Sequence, residues 1–150
     1  MKLVLHTLFF FHLYVGIGAL FGGAAAMINP YDPLGVSAES LVNSPFSSFL
    51  IPGIILFGLL GVGNIAGALA LRRRSKYTGY VSATLGGALV IWIIVQCLML
   101  DTVVFLHVLY GIIGLIQAIL ATRLLVAQRM FPFNLLVDFL NHRRDNTRDA

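Results

Sequence analysis

Apolar residues run almost unbroken through four stretches of the chain, about 3–27, 49–71, 78–100 and 102–125, and polar residues collect between them. Each stretch exceeds the roughly 20 residues that a helix rising 1.5 Å per residue needs to cross a bilayer. The pattern predicts an all-α fold: a four-helix transmembrane bundle over residues 1–129, followed by a short juxtamembrane segment, 130–150. The last two stretches are parted by a single charged residue, Asp101, and read as a hairpin with a carboxylate at its tight turn.

The first run ends in Ala24-Ala25-Ala26, which suggests a secretory signal with a small-residue cleavage site. Its length argues against that, because the apolar core of a signal peptide covers roughly 7 to 15 residues. A retained first helix is expected instead. His12, Gly16, Ala19, Gly23 and Ala26 share one of its faces, and Gly18 and Gly22 lie on another. Faces of small residues let helices approach closely in lipid, where packing takes over from the hydrophobic effect. The second run carries Gly63 and Gly67 together with one amide, Asn64, and Pro52 falls in its first turn, where a missing N–H costs little. Between these runs, Asn29-Pro30-Tyr31-Asp32-Pro33-Leu34-Gly35 and Ser44-Pro45-Phe46 are turn clusters. Ser37 to Val42 is expected to form a short extracytoplasmic loop helix with Ser37 as its N-cap. After the fourth run, Phe133, Leu136, Val137 and Leu140 share a helical face ahead of a basic tail, the signature of an amphipathic helix in the cytoplasmic headgroup region.

Charge orients these elements. The composition, 59% hydrophobic and 11% charged, leaves no room for a separate aqueous domain and places the chain in lipid. All ten Lys and Arg fall before the first run, between the second and third, or toward and beyond the end of the fourth. By the positive-inside rule that side is cytoplasmic, both termini included, and Arg72, Arg73, Arg74 and Lys76 act as a topology anchor. The basic residues flank apolar runs and do not interleave with aromatics, so nucleic acid is not an expected partner. The expected partners are the bilayer and either another membrane protein or further copies of the chain.

Counting from the helix ends sorts the intramembrane polar residues into two layers. Gln96 lies roughly 8 Å below Asp101 on the third helix and His107 about 9 Å below it on the fourth, with Tyr110 on the same face as His107. Asn64 and Gln117 form an inner layer, and an amide cannot face hydrocarbon without cost, so both point into the bundle. One reading makes Asn64, Gln96 and Gln117 interhelical hydrogen bonds. The other makes Gln96, Asp101, His107 and Tyr110 the lining of an outward-facing ligand pocket floored by Trp92. Asp32, Glu39, Asp101 and His107 include metal-ligand types, but no close ligand spacing supports a site. No metal or cofactor is expected. The one cysteine, Cys97, excludes paired-thiol chemistry. Haem ligation by His12 and His107 is disfavoured by their different depths. No carboxylate sits in the first helix, where small proton-coupled exporters place one.

The stretches Pro45-Phe46-Ser47-Ser48-Phe49-Leu50-Ile51-Pro52-Gly53 and Trp92-Ile93-Ile94-Val95-Gln96 resemble a broad group of small uncharacterised bacterial four-helix membrane proteins, loosely similar to the DoxX-like families. The resemblance covers residues 3 to about 125. It implies four helices in a bacterial inner membrane, with Pro45, Phe46, Pro52, Gly53, Trp92 and Gln96 as distinguishing positions, and brings no activity with it. Two functions remain open: a structural or accessory subunit packing with other membrane helices, and a binder or carrier of a small amphipathic or lipid-like molecule near Gln96, Asp101 and His107. An enzyme ranks third.

Overall fold

A computed structural model describes residues 1–128 together with Met130, Phe131 and Asn134. The described residues are helical and contain no strand. Four helices, each long and apolar enough to cross a membrane, follow one another: α1 (Lys2–Ile28), α2 (Leu50–Arg72), α3 (Thr78–Leu100) and α4 (Phe105–Ala127). The expected amphipathic helix over 130–150 lies outside the described residues, apart from three positions.

The helices pack as two antiparallel hairpins, α1 with α2 and α3 with α4, joined by contacts of α1 with α4 and of α2 with α3. Their surface is apolar where a water-soluble domain would be polar. Phe10, Phe21, Ile91, Leu98 and Ile119 are all exposed, whereas His12, Asn64, Ser82 and Gln117 are buried. Polar groups inside and hydrocarbon outside is the distribution that a bilayer selects as solvent.

Close approach within each hairpin depends on glycine. A methyl built on Gly23 would stand 2.7 Å from the backbone nitrogen of Phe57, and one on Gly86 would stand 2.7 Å from that of Ala118. Along α2, positions Gly53, Phe57, Gly61 and Ile65 face Ala26, Gly23, Leu20 and Gly16 of α1 in turn. A stripe with four-residue spacing drifts around an ordinary α-helix, since that helix turns every 3.6 residues. Here Leu56–Val62 adopts wider π-helical turns, which hold such positions on one face and keep the stripe against α1.

The hairpin turn between α3 and α4 is wider than the sequence suggests. Asp101 caps α3 in the left-handed conformation, with φ 48°, and α4 begins only at Phe105, behind an extended Val104. The three residues after Asp101 are therefore connection and not helix, although their apolarity reads as a continuation. The loop before α2 also differs from expectation. It forms two 3-10 turns, Pro33–Gly35 and, in place of a helix over 37–42, Ala38–Ser40, in which the Ser37 hydroxyl accepts from the Glu39 N–H at 3.2 Å. The Phe49 N–H donates to the Pro30 carbonyl at 2.8 Å and the Asn43 N–H to that of Met99 at 3.3 Å, which ties this loop across the end of the bundle.

Candidate functional site: a four-helix polar node

One buried polar side chain from each helix meets in the interior. His12 of α1 places Nδ1 2.6 Å from Oδ1 of Asn64 on α2 and Nε2 2.9 Å from Oγ of Ser82 on α3. Gln117 of α4 brings its Nε2 to 3.4 Å from Asn64 Oδ1 and 3.1 Å from His12 Nδ1. His12, Asn64 and Gln117 have no exposed surface, and Ser82 retains 1%. His12 lies about 15 Å from the start of α1 by helical rise, near the middle of a roughly 30 Å hydrocarbon layer.

The local sequence explains the convergence. His12 stands on the small-residue face of α1, whose Val15, Gly16, Ala19, Gly23 and Ala26 are buried with it. Gly67 of α2 leaves space for the imidazole: a methyl there would lie 3.3 Å from His12 Cε1 and Nδ1. Ser82 falls between Thr78 and Gly86, and all three are buried.

The hydrogen-bond partners fix the protonation pattern. Asn64 Nδ2 donates to the Leu60 carbonyl at 2.8 Å, and a carbonyl can only accept, so Oδ1 is the atom that faces the ring. Nδ1 of His12 must then carry the proton that Oδ1 accepts. In the neutral ring Nε2 is an acceptor, and the Ser82 hydroxyl donates to it. With Nδ1 protonated, the Gln117 Nε2 at 3.1 Å from it is a second donor and not a partner of the ring, so Gln117 donates to Asn64 Oδ1 alone and leaves its own Oε1 without a partner among the described residues.

Ser82, His12 and Asn64 thus align as a hydroxyl, a ring and an orienting amide, the order found in nucleophile–base–orienter sites. Their burial decides against that chemistry, since the hydroxyl faces neither solvent nor an open cleft. What the arrangement does is cross-link. Each interhelical bond of this kind contributes about 0.6 kcal/mol, at most about 1.7, and here the imidazole bonds α2 and α3 while Asn64 Oδ1 carries the link on to Gln117 of α4.

The residues singled out for an outer pocket occupy separate environments. Trp92 is packed among Val15, Ala19, Leu60, Leu89 and Ile113, and its Nε1 has no partner among the described residues. Gln96 is half-buried, and Asp101 is exposed at its left-handed cap. His107 is buried in the first turn of α4, where Nδ1 accepts from the Val104 N–H at 3.3 Å and closes the helix start. Tyr110 stacks on Tyr14, with centroids 5.7 Å apart and planes 22° from parallel, and its hydroxyl fills the space beside Gly18. No side-chain hydrogen bond joins Gln96, Asp101, His107 and Tyr110 to one another among the described residues.

The glycines named for helix packing are used within the bundle. Gly22 faces Leu56 at 3.5 Å, Gly63 faces Leu85 at 3.0 Å, and Gly67 faces both Leu85 and His12. Arg72, Arg73, Arg74 and Lys76 are exposed around the end of α2, with Lys76 Nζ 4.9 Å from the Tyr77 ring centroid. Sequence reasoning placed Asn64 and Gln117 on inward faces but missed His12 and Ser82 as their partners. The small-residue face around His12 was the available signal. Comparison with known proteins adds no neighbour to this picture: no family model, curated protein or solved structure matches the chain.

Proposed function

We propose that the chain is a multi-pass protein of a bacterial inner membrane, both termini cytoplasmic, that serves as a structural or accessory subunit packing with other membrane helices or with its own copies. The observation that carries this reading is the enclosed node. His12, Asn64, Ser82 and Gln117 are spent on tying the four helices together, and the wall around them offers apolar helix surface in place of an accessible reactive group. Gly58 and Gly87 support it, because a methyl on either would meet nothing within 4 Å. Both leave room on their helices for close approach by a helix from outside.

The test is the assembly state of the full-length protein in nanodiscs, read by native mass spectrometry and chemical crosslinking. Self-association or a stoichiometric membrane-protein partner, weakened by Gly58→Leu or Gly87→Leu, is the expected result. A strict monomer that retains a small amphipathic molecule, released by Gln96→Leu, would refute it in favour of ligand binding at the outer end.

A further inference from the structure

At the end of the bundle opposite Asp101, a cleft of about 630 Å³ opens between the start of α1 and the end of α2. Its rim carries Lys2, Arg72 and Arg74, and its walls are Leu5, Phe9 and Leu71 with the exposed His6 beside them. A second cleft of about 280 Å³ adjoins it toward the start of α3 and shares Lys2 and Arg74. Lys2, Leu5 and Phe9 follow one another at successive turns of α1, so the cleft grades from cationic to apolar as it descends roughly 10 Å along the helix. Arg73, between the two rim arginines, lines neither cleft. The three carboxylates among the described residues, Asp32, Glu39 and Asp101, all sit at the other end of the bundle.

The backbone that presents Arg74 is unusual. Helix α2 closes with the Ser75 N–H donating to the Ala70 carbonyl and the Arg74 N–H to that of Leu71, both at 3.1 Å, and Arg74 itself is left-handed at φ 53°. In this type of helix end the left-handed position is usually glycine, because a side chain there is strained. An arginine held in that position keeps a cation over the shared edge of both clefts at a conformational cost that the turn itself does not require.

We propose that this cleft binds an anionic phospholipid, with its phosphate between Lys2, Arg72 and Arg74 and an acyl chain along Leu5 and Phe9. Charge complementarity selects the headgroup, and the polarity gradient along α1 selects a lipid over a soluble anion. Basic pockets between membrane helices take phosphate headgroups in this manner. The inference uses the membrane placement of the bundle but not its role as a subunit, so either can fail without the other.

The experiment compares binding to the full-length protein in neutral detergent by native mass spectrometry, and stabilisation by thermal unfolding. Phosphatidylglycerol, phosphatidylcholine and inorganic phosphate are the probes. Phosphatidylglycerol is expected to bind and to raise the melting temperature more than phosphatidylcholine, with no effect of inorganic phosphate. Arg74→Gly relaxes the strained turn and therefore folds at least as well as wild type, yet it should weaken phosphatidylglycerol binding about fivefold, the effect of about one charge near a lipid headgroup. Arg72→Gln should act alike, whereas Arg73→Gln removes the same charge outside the cleft and should leave binding within twofold. Equal losses in all three variants would show diffuse surface charge and overturn the proposal. Equal binding of the two lipids, or stabilisation by inorganic phosphate alone, would overturn it as well.

Discussion

Replacing Asn64 by leucine, a side chain of similar size, removes the acceptor on which the node converges. Oδ1 receives His12 Nδ1 at 2.6 Å and Gln117 Nε2 at 3.4 Å, and Nδ2 donates to Leu60 O at 2.8 Å. The two interhelical bonds at about 0.6 kcal/mol each amount to about 1 kcal/mol. The His12 N–H is also orphaned in an enclosed site, a loss of order 1 to 3 kcal/mol when no water can replace the partner. Asn64→Leu should therefore destabilise by about 2 to 4 kcal/mol. His12→Leu should be comparably harmful, but the double variant should lose about 1 to 2 kcal/mol less than the sum, because removing both polar partners leaves fewer orphans than removing one. Reversible unfolding by SDS in mixed micelles, followed by far-ultraviolet circular dichroism, measures all three. A single-variant loss below about 0.5 kcal/mol, or strict additivity in the double variant, would show that the convergence of these groups contributes nothing to the bundle.

Cysteines placed at Ser40 and Ser75 in a Cys97→Ser background test the orientation: an impermeant maleimide on intact cells should label position 40 and not 75, and the reverse pattern overturns it. Gly67→Ala should destabilise by about 1 to 3 kcal/mol, because its methyl would lie 2.9 Å from Leu85 Cδ1 and 3.3 Å from the His12 ring. Gly87→Ala, with open space at its methyl, should be neutral or stabilise by up to about 1 kcal/mol; thermal unfolding in detergent separates the pair, and equal effects would contradict the packing. Asp101→Gly relieves a left-handed aspartate at φ 48° and should stabilise by roughly 1 kcal/mol in the same assay; a clear loss would assign the carboxylate a role beyond the turn.

The sequence carried the helices because span length in lipid is dictated by bilayer thickness, and an apolar run of the right length leaves few alternatives. It failed at the start of α4. Thr102-Val103-Val104 is as apolar as the helix it precedes, so hydropathy cannot see that Asp101 has already turned the chain. That shift moves His107 from roughly 9 Å deep to about 3 Å from the start of its helix. Its proposed pairing with Gln96 rested on the greater depth. The cost of an amide in hydrocarbon put Asn64 and Gln117 on inward faces, but a face leaves open which neighbour a residue meets, so His12 was not identified as their hub. Ser82 was harder still, since a serine in a membrane helix can satisfy its hydroxyl on its own backbone and does not announce a partner.

The node also constrains how the protein is made. Membrane helices insert before they associate, so during synthesis His12 enters the bilayer with no partner and keeps an N–H exposed to lipid until α2 delivers Asn64. Ser82 arrives with α3, and Gln117 closes the set only when α4 has crossed. Every shorter chain holds buried donors or acceptors with nothing to bond. A nascent or truncated bundle therefore lacks the bonds that hold His12, Asn64 and Ser82 together across the helices, and its polar groups gain them only as the later helices arrive.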